Sequence, residues 1–209
     1  KDNGDVERKF WKDDFSVDTS SQYTGSIASV TGWGSGTINI PHGKHISKSE
    51  PSLNEVEYTV AFGTDSDGSN QFIRLSFDEV DGFAFVLYRL PTHECMVTFY
   101  NYATKISHSS EVSVGVIPTN EFHTLKVVIG SSGTFYGYFD GVLKVTNSRP
   151  YMGETEKVVL YTWNTDLKVS SFGILPSISY SDDFATDTVT GANGRYRTTD
   201  GFGVDRTAQ

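Results

Sequence analysis

From Glu55 onward, apolar and polar positions alternate with a period of two, the pattern of strands with one face in a core. Val56, Tyr58, Val60 and Phe62 alternate with Glu55, Glu57, Thr59 and Ala61. After a turn at Asp65-Ser66-Asp67-Gly68, Ile73, Leu75 and Phe77 alternate with Phe72, Arg74 and Ser76. A second turn at residues 78–82 leads to further strands over 83–90, 96–102, 111–116, 124–129, 134–139, 142–146, 158–163 and 169–174. No segment carries apolar residues at helical spacing, and at most a turn is expected near residues 49–53. Short strands at regular spacing, punctuated by Gly, Asp and Asn, predict an all-β fold. So many strands curl into two packed layers, and a two-sheet antiparallel jelly-roll sandwich of about twelve strands fits the length.

The tail of the chain restarts its head. Asp13-Asp14-Phe15-Ser16-Val17-Asp18 is echoed by Asp182-Asp183-Phe184-Ala185-Thr186-Asp187, and Tyr23 with Gly32-Trp33-Gly34 is answered by Tyr196 with Gly201-Phe202-Gly203. Self-similarity at the spacing of a whole domain implies a tandem repeat. The division that follows is a lead-in over 1–12, one jelly roll over 13–176, and over 177–209 either the start of a second repeat or a C-terminal arm.

Composition narrows the classes of function. The 209 residues carry 26 acidic against 17 basic side chains, a net charge of −9 that repels a phosphate backbone, so nucleic acid is not an expected partner. No apolar run approaches the roughly 20 residues of a bilayer span, and membrane insertion is not expected. The opening Lys1-Asp2-Asn3-Gly4-Asp5 is too polar for a signal peptide, so an exported form would have shed its leader. Cys95 is the single cysteine, which excludes an intrachain disulfide and reads as a buried structural thiol. An extracellular or cell-surface location is expected.

Three stretches then stand out together: His123-Thr124-Leu125-Lys126-Val127-Val128, Tyr138-Phe139-Asp140-Gly141-Val142-Leu143 and Leu160-Tyr161-Thr162-Trp163-Asn164. In this order, with Asp14-Phe15-Ser16 at the start and residues 169–174 at the end, they resemble the concanavalin A-like lectin/glucanase superfamily, particularly its laminin-G-like members. The resemblance covers residues 13–176. It implies a first and last strand lying side by side, a sugar site on the concave sheet, and in many members a structural calcium where those two strands meet. The fold hosts lectins, adhesion modules, glycosidases and lyases, so it does not by itself name a function.

The residues give their own reading. Asp140-Gly141 supplies the positive φ of a tight hairpin, with Phe135 and Phe139 on one face and Tyr136 and Tyr138 on the other. Aromatic rings stack on the C–H face of a sugar, so Tyr136, Tyr138, Tyr88, Trp163 and Trp33 are candidate ligand-binding residues; each also reads as a sheet-stabilising or loop-plugging aromatic. Alternation puts Tyr88 with Ala84 and Val86, Tyr100 and Tyr102 with Thr98, and Tyr161 with Trp163. For calcium, Asp65, Asp67 and Asn70 offer oxygens around Gly68, and Asp13 and Asp14 do so at the first strand; a hairpin turn and a strand cap explain the same residues.

No catalytic residue is assigned. A retaining glucanase of the resembled superfamily is expected to alternate three carboxylates along one strand. The nearest candidates, Glu55-Val56-Glu57 and Glu79-Val80-Asp81, lack the third carboxylate or sit in a turn. His42 with His45, and His93 with Cys95, lack further metal ligands. The leading expectation is therefore a non-catalytic, lectin-like extracellular module binding glycan or polysaccharide, with calcium as a structural ion. The alternatives are a self-assembling surface or filament subunit that joins copies of itself through the C-terminal arm, and a glycoside hydrolase or polysaccharide lyase of the same fold.

Overall fold

The structure, a computed structural model, describes residues 11–49, 53–64, 68–130, 133–151 and 156–176. Asp65, Asp67, the repeat of the head near the C-terminus and the whole of 177–209 lie outside the described residues.

The described chain builds fifteen strands: β1 (Trp11–Asp13), β2 (Thr24–Gly25), β3 (Ile38–Ile40), β4 (His45–Ser49), β5 (Leu53–Phe62), β6 (Gln71–Phe77), β7 (Phe83–Arg89), β8 (Glu94–Asn101), β9 (Ile106–Ser107), β10 (Val112–Val116), β11 (His123–Ile129), β12 (Phe135–Phe139), β13 (Val142–Thr146), β14 (Lys157–Trp163) and β15 (Leu167–Pro176). Single 3-10 turns at Ser20–Gln22 and Ile27–Ser29 are the helical elements among them. Two antiparallel sheets result. The first has the order β1-β15-β5-β11-β12-β13, with β3 also on β15; the second has the order β10-β8-β7-β6-β14-β4-β2, with β9 on β8. This is the all-β two-sheet jelly-roll sandwich that the alternation predicts. The first strand pairs with the last, Trp11 opposite Ile174 and Asp13 opposite Phe172, so the sheet also takes in Trp11 and Lys12 from the lead-in.

The core lies between the sheets. Val56, Tyr58, Val60 and Phe62 enter it from β5, Leu125 and Val127 from β11, and Phe135 and Phe139 from β12; Ile73, Leu75 and Phe77 meet them from β6, with Phe83, Phe85 and Leu87 from β7. Each fully buried Phe or Leu contributes about 1.5–3 kcal/mol by leaving water. The hairpin joining β12 and β13 turns on Asp140 at φ 47 and Gly141 at φ 76, both in the left-handed region that a two-residue hairpin requires. Gly137 leaves room for the opposite sheet: a Cβ there would lie 2.6 Å from the Phe85 ring and 2.8 Å from Val145.

The elements that alternation does not reveal are the short ones, β1 to β4 and β9. They hold two to five residues each, β1 to β4 among the Ser, Gly and Thr of the first fifty and β9 at Ile106–Ser107, and are defined by what they pair with. β4, with Ile46 as its single apolar residue, exists because β14 lies beside it, Leu160 opposite Ile46 and Tyr161 opposite His45.

Candidate functional site

All seven residues of β7 are buried, although this strand has one face away from the core. Phe83, Phe85 and Leu87 point into the sandwich. On the outer face, Ala84, Val86 and Tyr88 form a separate apolar cluster with Phe72, Leu90, Met96, Tyr100 and Tyr102 packed around them. Register places the neighbours. Phe72, Arg74 and Ser76 of β6 stand opposite Tyr88, Val86 and Ala84, while Trp163, Tyr161 and Val159 of β14 stand opposite Phe72, Arg74 and Ser76. Beyond β7, Met96, Thr98 and Tyr100 of β8 complete the rows. Strands about 4.8 Å apart thus present one continuous aromatic surface on the outside of the second sheet.

The rings hold one another in place. Phe72 stacks on Tyr88 with centroids 5.8 Å apart, and Tyr100 meets Tyr102 edge-on at 4.8 Å. Trp163 remains 45 % exposed and is backed by the His42 ring at 4.7 Å. His42 is fixed in turn, because its Nδ1 accepts the Asn164 N–H at 2.7 Å and its own N–H donates to Asp166. The Arg74 guanidinium lies 4.0 Å from the Tyr102 ring and 4.0 Å from the Tyr161 ring, a two-sided cation–π clamp.

Two cavities open on this surface. One of about 580 Å³ is lined by Phe72, Tyr88, Tyr100 and Tyr102, with Asn70, Lys105 and Glu111 among its polar groups. The other, about 280 Å³, is lined by Phe72, Arg74, Tyr102, Tyr161 and Trp163. Phe72 and Tyr102 belong to both, so the two form adjoining halves of one groove. Burial pushes the Tyr102 phenol up to about 12 and the Tyr161 phenol upward against the opposing pull of Arg74. Tyr88 is raised first by burial and then by its hydrogen bond to Glu111. These hydroxyls stay protonated at neutral pH and are available as donors.

Carboxylates border the groove rather than alternating along its floor. The outward positions of β6 are Phe72, Arg74 and Ser76, and those of β7 are Ala84, Val86 and Tyr88, so the alternating strand pattern is absent here as it is in the sequence. Glu111 lines the larger cavity. Glu94, at the start of β8, accepts a hydrogen bond from Ser113 at 2.8 Å and acts electrostatically on Tyr88. Asp81 pairs with Arg74 at 3.2 Å.

The structure separates the residues singled out from sequence. Tyr88 and Trp163 come together in the groove, and Asn70 lies at its margin. Tyr136 and Tyr138 do not join them. They occupy the outward face of the first sheet, where the Lys126 ammonium lies 5.9 Å from the Tyr138 ring and pairs with Glu55 at 2.7 Å. Glu55 and Glu57 belong to that same distant face. Trp33 is half-buried, packed 5.4 Å from Tyr23 and 5.8 Å from Phe15 at the edge of the core. Cys95 is fully buried, and burial pushes its thiol up to about 11. His123 is bonded to Asp140 at 2.7 Å beside the β12–β13 hairpin.

The first-strand aspartates have protein partners. Buried Asp13 accepts hydrogen bonds from the Phe15 N–H, the Thr19 hydroxyl at 2.6 Å and the Tyr23 hydroxyl at 2.8 Å, while Asp14 accepts the Ser16 N–H. Donors of this kind satisfy the oxygens a calcium ion would need from Asp13. Among the described residues no three His, Cys, Asp or Glu side chains converge as metal ligands.

Arg74, Phe72, Tyr100, Tyr102, Tyr161, Glu94 and Glu111 were not selected from sequence. A signal for the first two exists: Phe72-x-Arg74 occupies the side of β6 opposite Ile73, Leu75 and Phe77, an aromatic where a solvated strand carries a polar residue.

No known family matches the chain by sequence, and no curated protein matches it. Solved structures do match by fold. The Bacillus licheniformis β-glucanase superposes with a TM-score of 0.63 at 12% identity, over 80% of this chain and 98% of that one. The Crh5 transglycosylase in complex with NAG gives 0.60 at 13%, over 81% and 84%. A prokaryotic β-1,3-1,4-glucanase (lichenase) from a mouse hindgut metagenome gives 0.61 at 7%, over 81% and 100%. These neighbours are named as glucanases and a transglycosylase, which corrects the expectation that put a non-catalytic lectin-like module first; the likeness favours the glycoside hydrolase alternative. The fold they share with this chain is the two-sheet jelly-roll sandwich, and it fits the superfamily that the sequence resembles.

Proposed function

We propose that this chain holds a glycan along the outward face of the second sheet and acts on it as a glycoside hydrolase or transglycosylase. The observation that carries the reading is the groove: six aromatic rings, from Trp163 to Tyr100, line two adjoining cavities on one sheet face. Apolar ring faces with hydroxyls at their edges match the alternating C–H and O–H surface of a sugar. Neighbours named as glucanases and a transglycosylase support a polysaccharide as the partner, and an extracellular or cell-surface setting accords with such a substrate.

The chemistry falls to carboxylates at the rim. Cleaving a glycosidic bond takes one carboxylic acid to protonate the leaving oxygen and a second group to stabilise, attack or deprotonate on the other side. Glu111 is the carboxylate that lines the larger cavity and is coupled to Tyr88, and it is assigned the proton transfer; Glu94 is assigned the second role. Both differ from the alternating carboxylates of the resembled glucanases.

The test is reducing-end release, or transfer to a labelled acceptor, across a panel of neutral and acidic polysaccharides, with affinity measured in parallel. Glu111→Gln is expected to lower turnover by about a hundredfold or more, the scale of general acid–base catalysis, with affinity kept within about threefold. Wild-type protein that releases no product above the Glu111→Gln background on any substrate overturns the catalytic assignment. Absence of binding to every polysaccharide overturns the groove reading as well.

A further inference from the structure

We infer that the groove selects a glycan carrying an anionic substituent, a carboxylate or a sulfate ester, on the ring that sits over Arg74 and Trp163. The inference rests on the glycan-groove reading and adds the chemical class of its ligand.

Arg74 is an unusual occupant of this position. Its cross-strand neighbours Val86 and Tyr161 are apolar or aromatic, yet it is a charged side chain only 6% exposed at the wall of a cavity. Such burial is costly unless the charge is paired and each N–H is satisfied. One Nη donates to Asp81, whose side chain is itself 75% exposed, so that pair is screened by water on its acidic side. Nε is buried and has no partner at all. The guanidinium is sandwiched between Tyr102 and Tyr161 and hydrogen-bonds the Tyr161 side chain, which fixes its orientation at the smaller cavity.

That combination is what an anion-recognition residue needs. Arginine presents a planar fork that matches carboxylate and sulfate oxygens, and a pre-oriented fork loses little entropy when the ligand arrives. Arg74 lines the smaller cavity and its counter-ion is partly water-screened, which leaves the positive charge of the guanidinium to attract an incoming anion. A neutral sugar hydroxyl would accept a hydrogen bond but would not offset the buried charge.

The surrounding charge points the same way. The protein is acidic overall, at −9, yet the row through Arg74 continues over Tyr161 to His45, and Lys157 shares this face of β14. His45 is driven toward its neutral form first by burial and then by Lys157 and Lys44, while Asp81 faces Arg74 from the exposed side. The carboxylates Glu94 and Glu111 sit toward the other side of the groove, across β7 and β8. A ligand ring with a negative group is therefore drawn to the Arg74 half, and its neighbour along the chain is placed over the larger cavity beside Glu111.

The experiment is titration calorimetry of the intact protein with three soluble probes: a neutral β-glucan, a polyuronate and a sulfated galactan, each at low and high salt. The expected result is at least about tenfold tighter binding to one or both anionic probes than to the neutral one, weakening with salt; whichever anionic probe binds distinguishes carboxylate from sulfate. Arg74→Gln should remove that preference, bringing the anionic and neutral probes to within about twofold of one another on that variant, whereas Arg74→Lys should restore only part of it. Circular dichroism and a melting curve on each variant separate loss of the fork from loss of the fold. If a variant proves unfolded, the salt dependence and probe preference of the wild type decide the matter alone. Equal affinity for neutral and anionic probes overturns the anionic selection while leaving the glycan groove intact. No binding to any of the three overturns both.

Discussion

The two outward faces of this sandwich are built from the same kind of strand and have opposite characters. On the first sheet, Glu57 of β5 faces Lys126 of β11, which faces Tyr138 of β12, and the hydroxyls of Ser171, Thr59 and Thr124 link one strand to the next. On the second sheet, the corresponding positions hold Trp163, Phe72 and Tyr88 in one row and Tyr161, Arg74 and Val86 in the next. The first face carries the side chains of an ordinary solvated sheet, with Lys126 paired to Glu55 and a hydroxyl row through Ser171, Thr59 and Thr124. The second gathers large apolar side chains with a clamped, partly unsatisfied arginine, an arrangement that adds little to folding and much to recognition. A sheet does not need aromatics on its wet side. Where they collect, the ligand is the better explanation.

The largest effect should come from exchanging the roles of these faces. Trp163→Ala is expected to weaken polysaccharide binding by about tenfold or more, since a large aromatic ring that lines a binding cavity typically carries a large share of the affinity. Tyr138→Ala, on the opposite face, should change it by less than about twofold; affinity electrophoresis of the two variants in one gel makes the comparison. If Tyr138→Ala proves the more damaging, the groove is on the wrong sheet.

A smaller effect concerns the core between the faces. The Tyr58 hydroxyl is completely buried without a hydrogen-bond partner, and burial raises its pKa. Tyr58→Phe removes a desolvated polar group while keeping the ring, and should raise stability by about 1 kcal/mol in urea unfolding without altering glycan affinity. A drop in stability would show that the hydroxyl has a partner after all.

The smallest effect belongs to the first face. Lys126 and Glu55 are both partly exposed, and a pair of that kind contributes about 0.5 kcal/mol or less after solvent screening. Lys126→Ala should therefore shift the urea midpoint only slightly and leave both affinity and turnover unchanged. Taken with Trp163→Ala, it measures how differently the two faces are employed.

Much of the fold was legible because its long strands bury one face. The inward set Ile73, Leu75 and Phe77, the division of Phe135 and Phe139 from Tyr136 and Tyr138, and the Asp140-Gly141 hairpin all follow from a period of two and from the φ a tight turn demands. The site was only half legible, for a related reason. β7 reads Phe-Ala-Phe-Val-Leu-Tyr-Arg, apolar on both faces, so alternation assigns Tyr88 to a set with Ala84 and Val86 but not to the inside or the outside. Tyr136 and Tyr138 alternate cleanly and drew attention as a platform, when clean alternation is the mark of an ordinary solvated face.

The sequence by itself determined the architecture. Period-two hydrophobicity, Gly and Asp turns and the order of three family-like stretches depend on local geometry and on burial, and both are written residue by residue along the chain. Only the tertiary structure decided where the aromatic groove lies. Trp163 comes from a strand distant in sequence from those of Phe72 and Tyr88, and Arg74 meets Tyr102 and Tyr161 because β6 lies between β14 on one side and β7, with β8 beyond it, on the other. Pairing order and register are long-range properties set by which strands share a sheet. They turn a run of separate aromatics into one groove.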